Sequence, residues 1–373
     1  MLRADAPVVL LQHGGLDNLS GKTGLAMLRY RSGPIVAVID PAHAGADLAA
    51  LTGIPRLVPV VADMAAALAH GPAVAVVGLA PSGGRLPEEM RADVRLALEA
   101  GLSLASGLHS RLAEDPEFGA IPRAAGQWIW DLRQEPPGLE VAAARAAALP
   151  CRRLLAVGSD MAVGKMSTCL ELAAAARRRG LDARFVGTGQ AGILISGQGV
   201  ALDAVRVDYA AGAVEAAVLQ AGAGAGPEAL VLVEGQGSLA HPGSTATLPL
   251  MRGSQPTDLL LVHRAGQGHV RTRPGAVPVA IPPLPELISA CEALAALGRP
   301  DGLRPRVRAL ALNTALLEAA EAKAAAERLA DATGLPVVDP VRQGGDALLD
   351  AVLAATPSAT PGGGPAPSTL KSD

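Results

Sequence analysis

The residues with the clearest chemical meaning form a glycine-bounded segment that ends in a lysine. It reads GSDMAVGK over residues 158–165, with Lys165 as its last residue. Glycines allow successive backbone N–H groups to point at one anion, a following helix N-terminus adds positive potential, and a lysine supplies a point charge. The segment therefore predicts a loop that binds phosphate groups.

The neighbouring residues support this interpretation, but the spacing departs from the common phosphate-loop pattern. A strand-like apolar run precedes the loop and an Ala-rich helical stretch follows it. The pattern G-x-x-x-x-G-K-[ST] would place a glycine at Ser159 and a hydroxyl at Met166. Hydroxyls come later, at Ser167 and Thr168. A hydroxyl directly after the lysine is a usual metal ligand, and Met166 does not supply one. Phosphate binding is therefore better supported than magnesium-assisted phosphoryl transfer.

Candidate bases follow a second apolar run. The segment VEGQGSLAHP, residues 233–242, contains Glu234 and His241. A carboxylate or an imidazole can take a proton from an attacking amine, although a lone histidine is more often a structural side chain. Gln236 and Ser238 in the same segment are candidate substrate-binding residues.

Polar residues also follow other predicted strands. Thr188 and Gln190 lie in a Gly-rich segment after the run at residues 183–186, and Arg85 and His109 follow runs in the N-terminal part. Ligand contacts gather at the carboxyl ends of parallel strands, so these four are further candidates for substrate binding.

The elements that must position these residues indicate an α/β protein. Short apolar runs alternate with helical patterns along most of the chain, which is typical of βαβ units and parallel sheets. We expect two doubly wound parallel-sheet domains, at residues 1–135 and 151–355, joined by a linker at 136–150. The last stretch, residues 356–373, lacks the apolar content to fold and is predicted to be a disordered tail.

Composition narrows the functional classes further. The chain has 373 residues, with 32 basic against 35 acidic side chains and only 2% aromatic residues. Balanced charge without a basic tract argues against nucleic-acid binding, and no apolar stretch is long enough for a membrane helix. Three scattered cysteines indicate neither disulfides nor a zinc site and favour a reduced, cytoplasmic setting. We also expect a homo-oligomer.

Two segments resemble motifs of dethiobiotin synthetase and related P-loop proteins. GSDMAVGK at 158–165 is similar to their GTDxxVGKT loop, and VEGQGS at 233–238 to their VEGxGG motif. The resemblance implies a metal-binding role for Glu234 as an alternative to a base. It also implies adenine recognition by Asn313, whose equally good alternative is to cap the following helix.

A wider set of segments resembles the D-glutamate N-acetyltransferase family, long known only as a domain of unknown function. They are GKTGLAMLRY (21–30), LAPSGGRLP (79–87), SGLHSRL (106–112), VGSDMAVGKMST (157–168), TGQAGILISGQGV (188–200) and VEGQGSLAHP (233–242). The resemblance implies a Rossmann-like N-terminal domain, a P-loop NTPase-like C-terminal domain, and transfer of acetyl from acetyl-CoA to an acidic amino acid, D-glutamate being expected. CoA carries a pyrophosphate and a 3′-phosphate, so the loop can hold it without a metal site.

The predicted site residues then divide by role. Glu234 and His241 are the candidate bases. Contacts to acetyl-CoA are assigned to Gly158, Ser159, Asp160, Gly164, Lys165, Met166, Ser167, Thr168 and Asn313. The amino-acid substrate is assigned to Thr188, Gln190, Gln236, Ser238, Arg85 and His109. Two alternatives stay open: an ATP- and magnesium-dependent ligase or kinase of the dethiobiotin-synthetase type, and a non-catalytic nucleotide-binding regulator.

Overall fold

The computed structural model describes residues 2–81, 83–272 and 275–354, so the tail predicted at 356–373 lies outside the described residues. The chain forms two compact units. The first combines the described residues up to Glu140 with Phe185–Ala213, and the second combines Val141–Arg184 with those from Val214 onward. The predicted domain at 151–355 is therefore interrupted, because helix Gln190–Ser196 packs against helix Lys22–Tyr30 of the first unit.

The first unit contains a parallel sheet whose strand order is β3-β2-β1-β4-β5-β6. Its strands are β1 (Val8–Leu11), β2 (Ile35–Ile39), β3 (Val60–Val61), β4 (Val74–Val77), β5 (Ser103–Ser106) and β6 (Ile129–Asp131). The helices before the second sheet are α1 (Lys22–Tyr30), α2 (Leu48–Thr52), α3 (Met64–Leu68), α4 (Arg91–Glu99) and α5 (Pro116–Gly119). This is the strand order of doubly wound dinucleotide-binding folds.

The second sheet is also parallel, in the order β12-β11-β10-β7-β9-β8. Its strands are β7 (Arg152–Gly158), β8 (Ala183–Val186), β9 (Leu230–Val233), β10 (Asp258–Arg264), β11 (Arg306–Asn313) and β12 (Val337–Val338). The remaining helices are α6 (Lys165–Arg178), α7 (Gln190–Ser196), α8 (Val207–Gly222), α9 (Thr247–Ser254), α10 (Leu284–Ala296), α11 (Ala319–Thr333), α12 (Pro340–Gln343) and α13 (Asp346–Ala354). Short 3-10 turns occur at Leu19–Gly21, Pro41–His43, Glu88–Met90, Leu112–Glu114, Arg145–Ala148 and Leu202–Ala204.

The two sheets confirm the predicted α/β class with two doubly wound parallel sheets. Strand β7 is buried along most of its length and pairs with β10 on one side and β9 on the other. Its carboxyl end therefore lies in the interior of the sheet, and the loops after β9 and β10 lie beside it. The buried alanines of α6 let this helix approach closely, in keeping with a core of small side chains.

Among the residues that the structure describes, no helix is both long enough and apolar enough to cross a bilayer.

Candidate functional site

The predicted phosphate loop connects β7 to α6 in the second unit. Gly164, at the N-terminus of α6, has φ 117°, a conformation that favours glycine. A Cβ atom on Gly158 would lie 2.7 Å from Nζ of Lys165, so a larger residue there would displace the lysine. The two glycines thus shape the backbone and leave room for the lysine, as phosphate binding requires.

Lys165 is folded back into this loop. Its Nζ donates a 2.8 Å hydrogen bond to the backbone oxygen of Asp160, and the residue is only 6% exposed. Burial lowers the pKa of Lys165 to about 8, although the negative charges of Asp160 and Glu234 act in the opposite direction. Lys165 is therefore a positioned cation whose charge depends on pH near neutrality.

Asp160 uses its side chain to hold a neighbouring loop. Its Oδ1 accepts from the amide of Met161 at 2.7 Å, while its Oδ2 accepts from Nε2 of Gln267 at 2.6 Å and from the amide of Arg271 at 2.8 Å. Asp160 is fully buried. The carboxylate therefore fixes the segment after β10 against the phosphate loop, and the sequence reasoning missed Gln267 as its partner.

Ser159 contacts the strand beside the loop. Its amide donates to the oxygen of Val262 at 3.0 Å, and its Oγ lies 2.8 Å from Nδ1 of His263. Both side chains are buried, and burial lowers the pKa of His263. A neutral His263 therefore joins β10 to the start of the loop.

Glu234 directly follows β9, the strand next to β7. It is 4% exposed, and its Oε1 accepts from Nε2 of Gln236 at 3.3 Å. Its charge raises the pKa of Lys165, so the two groups interact electrostatically. The structure thus brings a buried carboxylate and the loop lysine into one site, where the carboxylate can accept a proton.

His241 and Ser238 are bonded within their own loop. Nδ1 of His241 accepts from the amide of Gly243 at 3.0 Å, so the proton of the neutral ring is on Nε2, which donates to the oxygen of Arg271 at 2.8 Å. Ser238 accepts from the amide of Ala240. Both ring nitrogens of His241 are thus engaged by the backbone, which is the bonding pattern of a structural histidine and argues against the predicted role as a base.

A cavity of about 380 Å³ adjoins the phosphate loop. Its lining comes from the loop, the first turn of α6 and the segments after β11 and β12: Val163, Gly164, Ser167, Thr168, Leu312, Asn313, Ala315 and Asp339–Arg342. Asn313 donates from Nδ2 to the oxygen of Val163 at 3.0 Å and accepts at Oδ1 from the amide of Ala315 at 3.1 Å. The structure thus places Asn313 at the cavity and also gives it the local backbone hydrogen bond of a capping residue. Met166, which directly follows Lys165 in sequence, is half-buried.

Several predicted substrate residues belong to the first unit. A Cβ atom on Gly107 would lie 2.1 Å from Oε1 of Gln190, so these two residues touch. His109 donates its amide to the oxygen of Gly84 at 2.8 Å, and burial together with the nearby Arg133 lowers its pKa. Thr188 is buried and Arg85 is exposed.

Arg133 is a residue of this cluster that the sequence reasoning missed. Its Nε donates to the oxygen of Gly107 at 2.6 Å, and its guanidinium forms an ion pair with Asp203. Its position just after β6 is the signal that could have identified it, because ligand contacts gather at such strand ends. Within the described ranges, no three His, Cys, Asp or Glu side chains come together in a group that could hold a metal ion.

Two family descriptions match the chain. Residues 41–135 match "Domain of unknown function (DUF1611_N) Rossmann-like domain", and residues 140–349 match "Domain of unknown function (DUF1611_C) P-loop domain". The chain belongs to the DUF1611 family. The predicted Rossmann-like and P-loop domains are thereby confirmed.

Named relatives and a solved structure agree with this assignment. A protein named D-glutamate N-acetyltransferase from Tritonibacter scottomollicae is 34% identical over 351 residues, covering 94% of this chain and 99% of the relative. One of the same name from a Pseudoalteromonas species is 34% identical over 279 residues, covering 74% and 79%. The crystal structure of a DUF1611 family protein from Anabaena variabilis has a TM-score of 0.85 at 52% identity, covering 94% of this chain and 100% of that one. The predicted family resemblance is therefore confirmed.

Proposed function

We propose that this DUF1611 protein is an N-acetyltransferase that moves acetyl from acetyl-CoA to the amine of an acidic amino acid, with D-glutamate as the first substrate to test. The observation that carries this proposal is the cavity beside the phosphate loop, which offers a place for an adenosine next to the groups proposed to bind phosphate. The two relatives named D-glutamate N-acetyltransferase support the choice of reaction.

The loop fits the pyrophosphate of CoA. Gly158 and Gly164 leave space for close approach, Lys165 supplies positive charge, and the first turn of α6 points backbone amides at the anion. Met166 occupies the position where a metal-binding hydroxyl would stand in the common pattern. Binding through amides and a lysine needs no hydroxyl there, so the substitution suits a loop that holds a nucleotide without cleaving it.

Glu234 is the proposed base. The ammonium of the amino acid loses one proton to the carboxylate, and the resulting neutral nitrogen attacks the thioester carbonyl carbon. An amide bond forms and the carbon–sulfur bond breaks. The nitrogen loses its second proton, and the departing CoA thiolate takes up one proton, so that N-acetyl amino acid and CoA thiol result. Glu234 is preferred to His241 because both nitrogens of that imidazole are already bonded to the backbone.

Binding of the acidic substrate is proposed for Gln236 and Ser238, which lie in the loop that contains Glu234. Alanine at a substrate-binding position should raise the KM for the amino acid while leaving the KM for acetyl-CoA unchanged, since the two ligands use different groups.

A second function is favoured by the electrostatic interaction between Glu234 and Lys165. In a ligase or kinase that uses ATP, a carboxylate at this strand end would hold magnesium beside the phosphates. The same cavity would then take the adenosine of ATP. This alternative predicts release of ADP or phosphate, which an acetyltransferase does not produce.

Product analysis tests the proposal. The purified protein is incubated with acetyl-CoA and a panel of D- and L-amino acids, and mass spectrometry follows the acetylated products while a thiol reagent follows free CoA. We expect one N-acetyl amino acid for each CoA released, with acidic amino acids preferred. Parallel reactions with ATP and magnesium should give no ADP; ADP formation without amide formation from acetyl-CoA would contradict the proposal.

A further inference from the structure

Of the described residues that line the cavity beside the phosphate loop, Arg342 alone has a positively charged side chain. It lies on α12, in the segment after β12. Its Nη2 donates to the oxygen of Thr314 at 3.1 Å and to the oxygen of Leu317 at 2.8 Å. Two carbonyl groups therefore orient one edge of the guanidinium, and the arginine is exposed enough to meet a ligand.

The acidic residue beside it is bonded to other groups. Asp339 accepts hydrogen bonds from the amide and hydroxyl of Thr314 and from the amides of Val341 and Arg342. Asp339 is buried, so these donors compensate much of its charge. The carboxylate of Asp339 thus accepts from backbone amides and a hydroxyl, whereas the guanidinium of Arg342 donates through Nη2 to two carbonyl oxygens.

The position of Arg342 relative to the phosphate loop suggests a ligand group. Ser167 and Thr168, at the start of α6, line the same cavity as Arg342. A nucleotide whose 5′-phosphates lie on the loop and whose adenosine fills the cavity presents its ribose 3′-oxygen within the cavity. In CoA that oxygen carries a phosphate, whereas in ATP it carries only hydrogen.

We propose that Arg342 binds the 3′-phosphate of CoA and makes the site selective for CoA over nucleotides that lack this group. The inference rests on the proposed use of acetyl-CoA and adds a specificity-determining residue to it. A planar guanidinium pairs well with a phosphate because two parallel N–H groups can meet two oxygens.

The test compares two acetyl donors, acetyl-CoA and acetyl-dephospho-CoA, which differ only in the 3′-phosphate. For the wild-type protein we expect kcat/KM to be at least about tenfold higher with acetyl-CoA, the size of one charge-assisted interaction. Arg342→Gln should bring this ratio close to one by lowering the acetyl-CoA value alone. A general folding defect would lower both values and leave the ratio high, so the ratio separates loss of the phosphate contact from misfolding.

Two control variants and a binding measurement make the outcome decisive. Arg342→Lys should keep part of the preference, and Arg328→Gln, at an exposed arginine of α11, should keep all of it. A wild-type ratio near one, or a ratio that Arg342→Gln leaves unchanged, would overturn the inference. Calorimetry with CoA and dephospho-CoA gives the same comparison without turnover. If no acetyl transfer occurs, the proposed function fails. A preference for CoA over dephospho-CoA that depends on Arg342 would still support this site.

Discussion

The ammonium of Lys165 donates a 2.8 Å hydrogen bond to the backbone oxygen of Asp160, which places the lysine inside its own loop. The carboxylate of the same Asp160 holds Gln267 and the amide of Arg271. One residue thus positions the phosphate-binding cation with its backbone and a neighbouring loop with its side chain.

The affinity for acetyl-CoA should fall as pH rises through about 8. In the free protein the pKa of Lys165 lies near that value, so the ammonium is charged below it and neutral above it. Phosphate binding favours the charged form and raises this pKa, so a proton is taken up on binding. Calorimetric Kd values for acetyl-CoA between pH 6.5 and 9.5 measure the effect. Lys165→Arg is the control, since its side chain stays charged, and an identical pH profile for that variant would contradict the assignment.

Glu234→Gln should lower kcat by about 100-fold, within the range typical of a lost general base, because the amide cannot accept the ammonium proton. The KM for acetyl-CoA should change little. Steady-state kinetics at saturating amino acid measure both values, and Glu234→Asp should recover part of the activity. Raising the pH should also partly restore Glu234→Gln, as more of the substrate amine is then neutral. Full activity of Glu234→Gln at neutral pH would remove this residue from the mechanism.

His241→Ala should reduce stability more than it reduces turnover. The ring joins Gly243 to Arg271 through two backbone hydrogen bonds, each worth about 0.5–1.5 kcal/mol in net stability. Denaturant unfolding gives the change in the free energy of unfolding, and kcat is measured on the same preparation. A 100-fold fall in kcat with unchanged unfolding would instead support a role for His241 as a base.

Asp160→Ala should loosen the segment after β10. The substitution removes the acceptor of the Arg271 amide and of the Gln267 side chain and leaves both donors without this partner. Hydrogen exchange at the Arg271 amide should become faster, and the KM for acetyl-CoA should rise because Lys165 loses its rigid loop. Asp160→Asn retains one oxygen acceptor and should show a smaller change. Unaltered exchange at Arg271 in Asp160→Ala would contradict the bonding described.

The fold followed from patterns that are local in the sequence. Apolar runs ending in glycine predicted β7 and its loop, and the same pattern predicted β9 with Glu234. Strands β3 and β6 were not predicted, since stretches such as Val60–Val61 are too short to show a periodicity. The division of the chain was also not predictable, because α7 packs against α1, an element far away in sequence.

For the candidate site, the sequence indicated residue types and their order along the chain, but not the hydrogen bonds that these residues form. Asp160 was assigned to the nucleotide, yet its side chain bonds to residues 107 and 111 positions away. The role of His241 likewise depends on the oxygen of Arg271, 30 positions away. Hydrogen-bond partners at such separations leave no local signal in the sequence. The residue type indicates which chemistry a side chain can perform, but only the fold shows whether its polar atoms are already hydrogen-bonded to other residues.

The most direct test of the account is calorimetric binding of acetyl-CoA and of ATP with magnesium to the wild-type protein, Lys165→Met and Lys22→Met. Lys22 provides the matched control, because it also follows a glycine at the start of a helix but belongs to the first unit. We predict that acetyl-CoA binds more tightly than ATP, that Lys165→Met weakens acetyl-CoA binding at least about tenfold, and that Lys22→Met has no effect. Binding of ATP with magnesium alone, or acetyl-CoA binding that Lys165→Met leaves unchanged, would contradict the account.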